Sequence, residues 1–327
     1  MNRRRGRVLA AIALVVGISP AASSGDDELR TVTLVLDWTP NTNHSGIYAA
    51  DAEGFYAEAG IDLRVIQPGE GGSLQAVGTG NAEFGISVQE ALIPARLAGL
   101  PTVSIAAIIE KNTSSLMALS ETGVSRPADL AGLRYGGFGG QLETELVRRI
   151  VECDGGDADA VDFVEVGNTD YRVGLENGAF DFVWIFEGWD KMRLDLAGVD
   201  VTTIPFIDYE ECIPNWYTPL IVTSEGLIED EPDLVREFMA ATARGYRLAM
   251  ADPATAADHL LSAAPELDEE LVRASAAYLA ERYAASEDSW GRQDRDTWLA
   301  FARFLVDAGL ADRLIDVDAA YTNEFLP

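Results

Sequence analysis

Lysine is nearly missing from this chain: of 24 basic residues only Lys111 and Lys191 are lysine, set against 54 acids, for a formal charge of −30. So acidic a chain is a poor partner for nucleic acid or any other polyanion. Histidine is as scarce, with only His44 and His259, and with two cysteines, Cys153 and Cys212, no metal-ligand spacing arises. No Gly-x-Ser-x-Gly elbow is present, and Gly136 to Gly140 (GGFGG) has the spacing of neither a P-loop nor a complete dinucleotide fingerprint. Catalysis has little to stand on, and no cofactor is expected. No apolar run reaches the roughly 20 residues that a membrane-spanning helix needs.

The amino terminus is patterned for export. Arg3, Arg4, Arg5 and Arg7 precede an apolar run from Val8 to Ile18, then small residues from Ser19 to Ser24, the layout of a cleavable signal with cleavage after Ala21. Removing residues 1–21 deletes four arginines and no acid, so the charge moves from −30 to −34. No cysteine suits lipoprotein attachment near that cut, so the route of retention at the cell stays open. In an oxidising compartment Cys153 and Cys212 could pair. Cys153 falls at a predicted helix end and Cys212 in an acidic loop, and the sequence favours leaving them unpaired.

A chain of 327 residues typically divides into about two domains. From Thr31 short strands alternate with helical segments (TVTLVLDW, GIYAADAEGFYAEAG, IDLRVIQ), which predicts βαβ units and a mainly parallel sheet. The unit restarts near Ser125, and after Pro232 apolar residues recur at three- and four-residue steps, as in amphipathic helices. The expected organisation is a first lobe from 29–118 and 220–327, with a second lobe, 119–219, inserted in it. Two crossovers make a hinge, and hinge closure around a ligand follows mechanically.

Recognition concentrates at two strand ends. VLDWTPNTNHSGIY, residues 35–48, puts Asp37, Trp38, Asn41 and His44 at the carboxyl end of a strand, where open α/β sheets bind small ligands. FVWIFEGWD supplies Trp184, Glu187 and Trp189 at another. Alone, Trp38 is as readily ordinary packing as a ligand contact, and His44 as readily a turn residue. Two facing strand ends, each with an aromatic ring and a carboxylate, would instead sandwich a flat ring and hydrogen-bond its edge. GEGGSL, residues 69–74, offers backbone N–H groups ahead of a helix, or simply a tight turn. The GGFGG loop reads as a second-lobe wall of the cleft, with Gln141 and Glu143 as further candidates.

LDWTPNTNHSGIYAADAEGFYAEAGIDL, GNAEFGISVQEAL and LAGLRYGGFGG resemble the thiamine-precursor branch of periplasmic substrate-binding proteins, relatives of a eukaryotic pyrimidine synthase for thiamine. The resemblance runs over nearly all of residues 30–327. It implies an α/β type II binding-protein fold, two lobes closing on a substituted pyrimidine, in an exported monomer at the cell surface, periplasmic or extracellular, that serves an ABC permease and its ATPase. Carried over, Asp37, Trp38 and Glu187 match the ligand segments, Asn41 and His44 share the first-lobe motif, and Gln89 and Glu90 fall where such proteins line the cleft. Trp38 would stack on the ring with Trp184 as a second wall, while Asp37 and Glu187 accept from ring amino groups. Riboflavin or another flat heterocycle is the competing ligand. The synthase branch calls for a lysine to hold pyridoxal phosphate and a histidine four residues on; here those positions are Ser87 and Ala91, and its cysteine-rich run retains only Cys212.

Overall fold

The computed structural model describes residues 29–167 and 169–327, so the expected signal over residues 1–21 lies outside the described residues. Among the described residues ten strands form two sheets. Strands β1 (Arg30–Val35), β2 (Ile61–Ile66), β3 (Phe84–Ser87), β4 (Thr102–Ala107) and β10 (Leu220–Ser224) make the first, in the order β2-β1-β3-β10-β4. The second holds β5 (Ser114–Leu119), β6 (Arg134–Gly137), β7 (Asp162–Glu165), β8 (Phe182–Phe186) and β9 (Val201–Pro205), in the order β7-β6-β8-β5-β9.

The two sheets are built alike. In each, one strand pairs in parallel with two neighbours: β1 with β2 and β3, and β6 with β7 and β8. In each, one strand runs antiparallel to both of its neighbours, β10 in the first and β5 in the second. Those two are the strands on which the chain enters after crossing between lobes. The fold is a two-lobed α/β architecture with one sheet in each lobe. Because β5 begins at Ser114, the first crossing falls between Ala107 and Ser114, ahead of the boundary expected at 118. Periodicity misplaced it, since Ser114–Leu119 is as buried as a first-lobe strand would be.

The acids that make the chain so anionic also punctuate its helices. Asp252, Asp268 and Asp294 each accept a backbone N–H in the first turn of the helices Pro253–Ala263, Glu269–Ala280 and Arg295–Asp307, satisfying donors that have no intrahelical partner. The helix Pro232–Ala251 starts on proline and buries Leu234, Val235, Phe238, Met239 and Tyr246 along one face. It meets the helix Ser45–Ala52 at two glycines. A Cβ on Gly245 would collide with the carbonyl oxygen of Gly46, and one on Gly46 with the ring of Tyr246. This close approach fixes the start of the helix that follows the Asp37–His44 loop.

Cys153 and Cys212 form a disulfide, Cα atoms 5.8 Å apart, against the expectation of free thiols. The helix Gln141–Cys153 ends where the Tyr209–Ile213 turn folds back over it, a meeting of segments 59 residues apart that local pattern does not reveal. The bond anchors the segment that leads into the return crossing. Replacing both cysteines with serine should destabilise the protein by about 2–4 kcal/mol. Chemical denaturation of the oxidised protein against the double variant reads this directly; equal midpoints would contradict it.

Candidate functional site

The first-lobe strand end is held by its own loop. Asp37 follows β1 half-buried, with Trp38 beside it 58% exposed. Asn41 caps the short turn Thr42–His44: its Oδ1 accepts from Asn43 N at 2.9 Å and its Nδ2 donates to the Thr39 carbonyl at 3.0 Å. His44 is fully buried. Its Nδ1 accepts from Asn41 N at 3.3 Å, which leaves the ring proton on Nε2, 2.8 Å from Asp37 Oδ1. His44 thus has no ring nitrogen left for a ligand; it orients Asp37. Asn41 likewise spends its amide inside the loop.

The second-lobe strand end is a π-helical turn, Glu187–Lys191, a widened geometry that recurs at functional sites. Glu187 is fixed from both lobes. Ser115 of β5 donates to Oε1 at 2.8 Å, and Tyr278, from the helix Glu269–Ala280, donates to Oε2 at 2.9 Å. Burial, and then the Glu187 charge, drive the Tyr278 hydroxyl well above its ordinary range, so it stays a donor. Next to it Ser275 donates to the Gly188 carbonyl and receives the Thr42 hydroxyl, joining the first-lobe turn to the π-turn. Trp189, expected with the recognition residues, packs instead among Ala257, Leu260, Val272 and Ala276 of the first lobe.

Between these ends lies the hinge. Gln89 is fully buried; its Oε1 accepts from Tyr217 N at 2.8 Å. Glu90 lies in the first turn of the helix Gln89–Leu97 and accepts from the Trp216 indole at 3.0 Å. Burial pushes the Glu90 carboxyl up to about 8; its backbone and Trp216 hydrogen bonds pull the other way, and the charge on Asp37 adds to the rise. The crossings are tied to each other where Asn112 N donates to Asn215 Oδ1 at 3.0 Å. Trp184, proposed as a ring wall, packs against Phe206 and Trp216 within the second-lobe core.

Several buried donors here have no partner: Gln89 Nε2, Asn112 Nδ2, Ser114 Oγ and Trp184 Nε1. Unpaired polar atoms inside a protein are costly, and an ordered water or a bound group satisfies them in native structures. Asn112 and Ser114 lie alongside Glu187, since Ser114 pairs with Phe186 across β5 and β8, so an acceptor and unspent donors share that strand end. Ser115, Trp216 and Tyr278 were not among the sequence candidates. Each reaches the site from a segment remote in sequence, where no local pattern singles it out.

Similarity to known proteins extends over most of the chain. The chain is 28% identical over 297 residues to a formylaminopyrimidine-binding protein of Halalkalibacterium halodurans, covering 89% of each. It is 26% identical over 315 residues to a 4-amino-5-hydroxymethyl-2-methylpyrimidine phosphate synthase of Legionella pneumophila (90% of this chain, 92% of that one). Against the riboflavin-binding protein RibY of Chloroflexus aurantiacus the figure is 27% over 321 residues (94% and 89%). In fold it superposes on the alkanesulfonate-binding protein SsuA of Xanthomonas axonopodis pv. citri with a TM-score of 0.66 at 16% identity, over 89% of this chain and 98% of that one. Residues 41–256, which run from the Asn41 cap through the whole second lobe and back into the first, match the NMT1/THI5 like family, and the chain belongs to that family.

Proposed function

We propose that this protein is the extracytoplasmic solute-binding component of an ABC importer, capturing a thiamine pyrimidine precursor of the formylaminopyrimidine or hydroxymethylpyrimidine type. The observation that carries the reading is two positioned carboxylates, one at the strand end of each lobe, with unspent donors at Asn112 and Ser114 beside the second. An aminopyrimidine has the complementary edge: exocyclic N–H donors for Asp37 and Glu187, and ring nitrogens or a formyl oxygen for Gln89, Ser114 or Trp184. Trp38 stacks on the ring face. The named binding protein at 28% identity supports the same ligand class. Delivery to a permease and its ATPase, with residence outside the cytoplasmic membrane, completes the reading. No helix among the described residues is long and apolar enough to cross a membrane.

Two observations weigh against the synthase chemistry of other relatives. Ser87 and Ala91 occupy the lysine and histidine positions that the resemblance assigns to that branch, and Cys212 is spent in a disulfide. A riboflavin ligand is the second reading, favoured by the relative of that name.

Thermal unfolding of the mature protein should show a rise in melting temperature with hydroxymethylpyrimidine or formylaminopyrimidine and none with nitrate or taurine. Trp38→Ala and Glu187→Ala should abolish the rise. Tyr278→Phe, which removes only the donor from the opposite lobe, should weaken calorimetric affinity by about tenfold. A rise with riboflavin alone would replace the ligand and keep the class.

Glu90 gives a pH signature. With its folded value near 8 and an ordinary carboxylate value when unfolded, the folded protein holds an extra proton between the two. Its contribution to stability is therefore full below the ordinary carboxylate range and declines as pH climbs toward 8. Glu90→Gln keeps an acceptor for Trp216 without the titration. Its melting temperature should match wild type at pH 4 and exceed it by a few degrees at pH 9; a constant offset would reject the assignment.

A further inference from the structure

A tryptophan packed against a lobe other than its own holds the two together, because parting them returns its apolar surface to water. Trp189 is placed this way. It belongs to the second lobe, in the turn that follows β8, yet the apolar cluster it joins is otherwise first-lobe. Ala257 and Leu260 come from the helix Pro253–Ala263, Val272 and Ala276 from the helix Glu269–Ala280, and Tyr48 closes the edge.

The backbone beside it makes the same contact. Gly188 approaches the helix Glu269–Ala280 so closely that a Cβ on it would stand 3.1 Å from the side chains of both Tyr278 and Leu279. Its carbonyl accepts from Ser275, which is fully buried. A glycine ahead of the tryptophan lets the π-turn sink onto this helix, and the indole then enters between two first-lobe helices.

Placement relative to the hinge decides what the contact does. Glu187 N donates to the Thr113 carbonyl at 3.1 Å, so the π-turn leaves β8 beside the first crossing, and Trp189 follows two residues further on. Its partners ride on first-lobe helices and not on either crossing, so swinging the lobes apart must draw the indole from its seat. The seat is apolar and made by the protein alone, so filling it stabilises the joined lobes whatever occupies the cleft. It also serves Glu187, which meets Tyr278 on the same helix that carries Val272 and Ala276.

We propose that Trp189 is a positioning residue that latches the lobes together before a ligand arrives, so that Glu187 and Tyr278 are already assembled when it does. Ligand entry then requires the latch to release. The return is affinity, since a site whose competent arrangement is the populated one binds at its full intrinsic strength. The latch rests on the two-lobed fold alone; only its effect on affinity rests on the pyrimidine reading above.

Small-angle X-ray scattering of the mature protein, with and without saturating hydroxymethylpyrimidine, tests it. Wild type should give one radius of gyration in both conditions. Trp189→Ala should be larger than wild type without the pyrimidine, contract to the wild-type value with it, and bind about tenfold more weakly by calorimetry. Trp189→Phe, which keeps a ring for the seat, should recover most of both losses. A wild type that contracts on binding, or unliganded radii that agree between wild type and Trp189→Ala, overturns the proposal. Should Trp189→Ala fail to fold, Ser275→Ala, which removes the bond to the Gly188 carbonyl, must show a smaller expansion, and none would overturn it. If the pyrimidine binds neither protein, the pyrimidine reading fails on its own. The unliganded radii then decide the latch: an expanded Trp189→Ala upholds it, and equal radii refute it.

Discussion

The indole of Trp216 belongs to both halves of this molecule at once. It lies on the return crossing, donates to Glu90 at the start of a first-lobe helix, stacks on Phe301 with centroids 5.0 Å apart, and meets Trp184 edge-on in the second lobe. The buried core is therefore continuous through the hinge instead of stopping at each lobe's edge. A well-packed interior resists gradual deformation, so any relative motion of the lobes must pivot around this aromatic column as a rigid-body step. The rise of the Glu90 carboxyl follows from that construction: packing at the hinge shields it from water.

The same logic accounts for the two carboxylates. Each is set by neighbours that leave it little freedom: His44 directs Asp37, while Ser115 and Tyr278 hold Glu187 from opposite lobes. Groups fixed in advance lose less rotamer entropy when a ligand arrives, and that saving appears as affinity. Ser275 adds a second tie between lobes beside the first, through the Gly188 carbonyl and the Thr42 hydroxyl. The arrangement of Glu187 makes the site's acceptor chemistry conditional on the lobes being together, since Tyr278 stands on one and the carboxylate on the other.

What the sequence discloses here is whatever is local. The strand ending in Asp37-Trp38, the alternation of strands and helices, and the second-lobe carboxylate after Trp184 are all readable, because period and turn chemistry act over a few residues. Roles that depend on distant segments are not. His44 looks like a ligand contact until its two nitrogens are seen to be spent on Asn41 and Asp37. Cys153 and Cys212 look unpaired until the Tyr209–Ile213 turn is brought over the helix end. Ser114–Leu119 has the apolar character of either sheet, so only its pairing with β8 and β9 assigns it to the second lobe. Tyr278, which completes the Glu187 site, sits in a stretch that reads simply as an amphipathic helix.

The placing of β10 has a consequence for how the chain is made. It stands between β3 and β4, so β4 has no neighbour within its own sheet until residues 220–224 exist. During synthesis the amino-terminal lobe must wait, with an unsatisfied sheet edge, while the whole of the other lobe is translated. The inserted lobe suffers no such delay, since all five of its strands are contiguous. Order of completion is thereby inverted relative to order of synthesis, and the leading lobe stays open the longer for it.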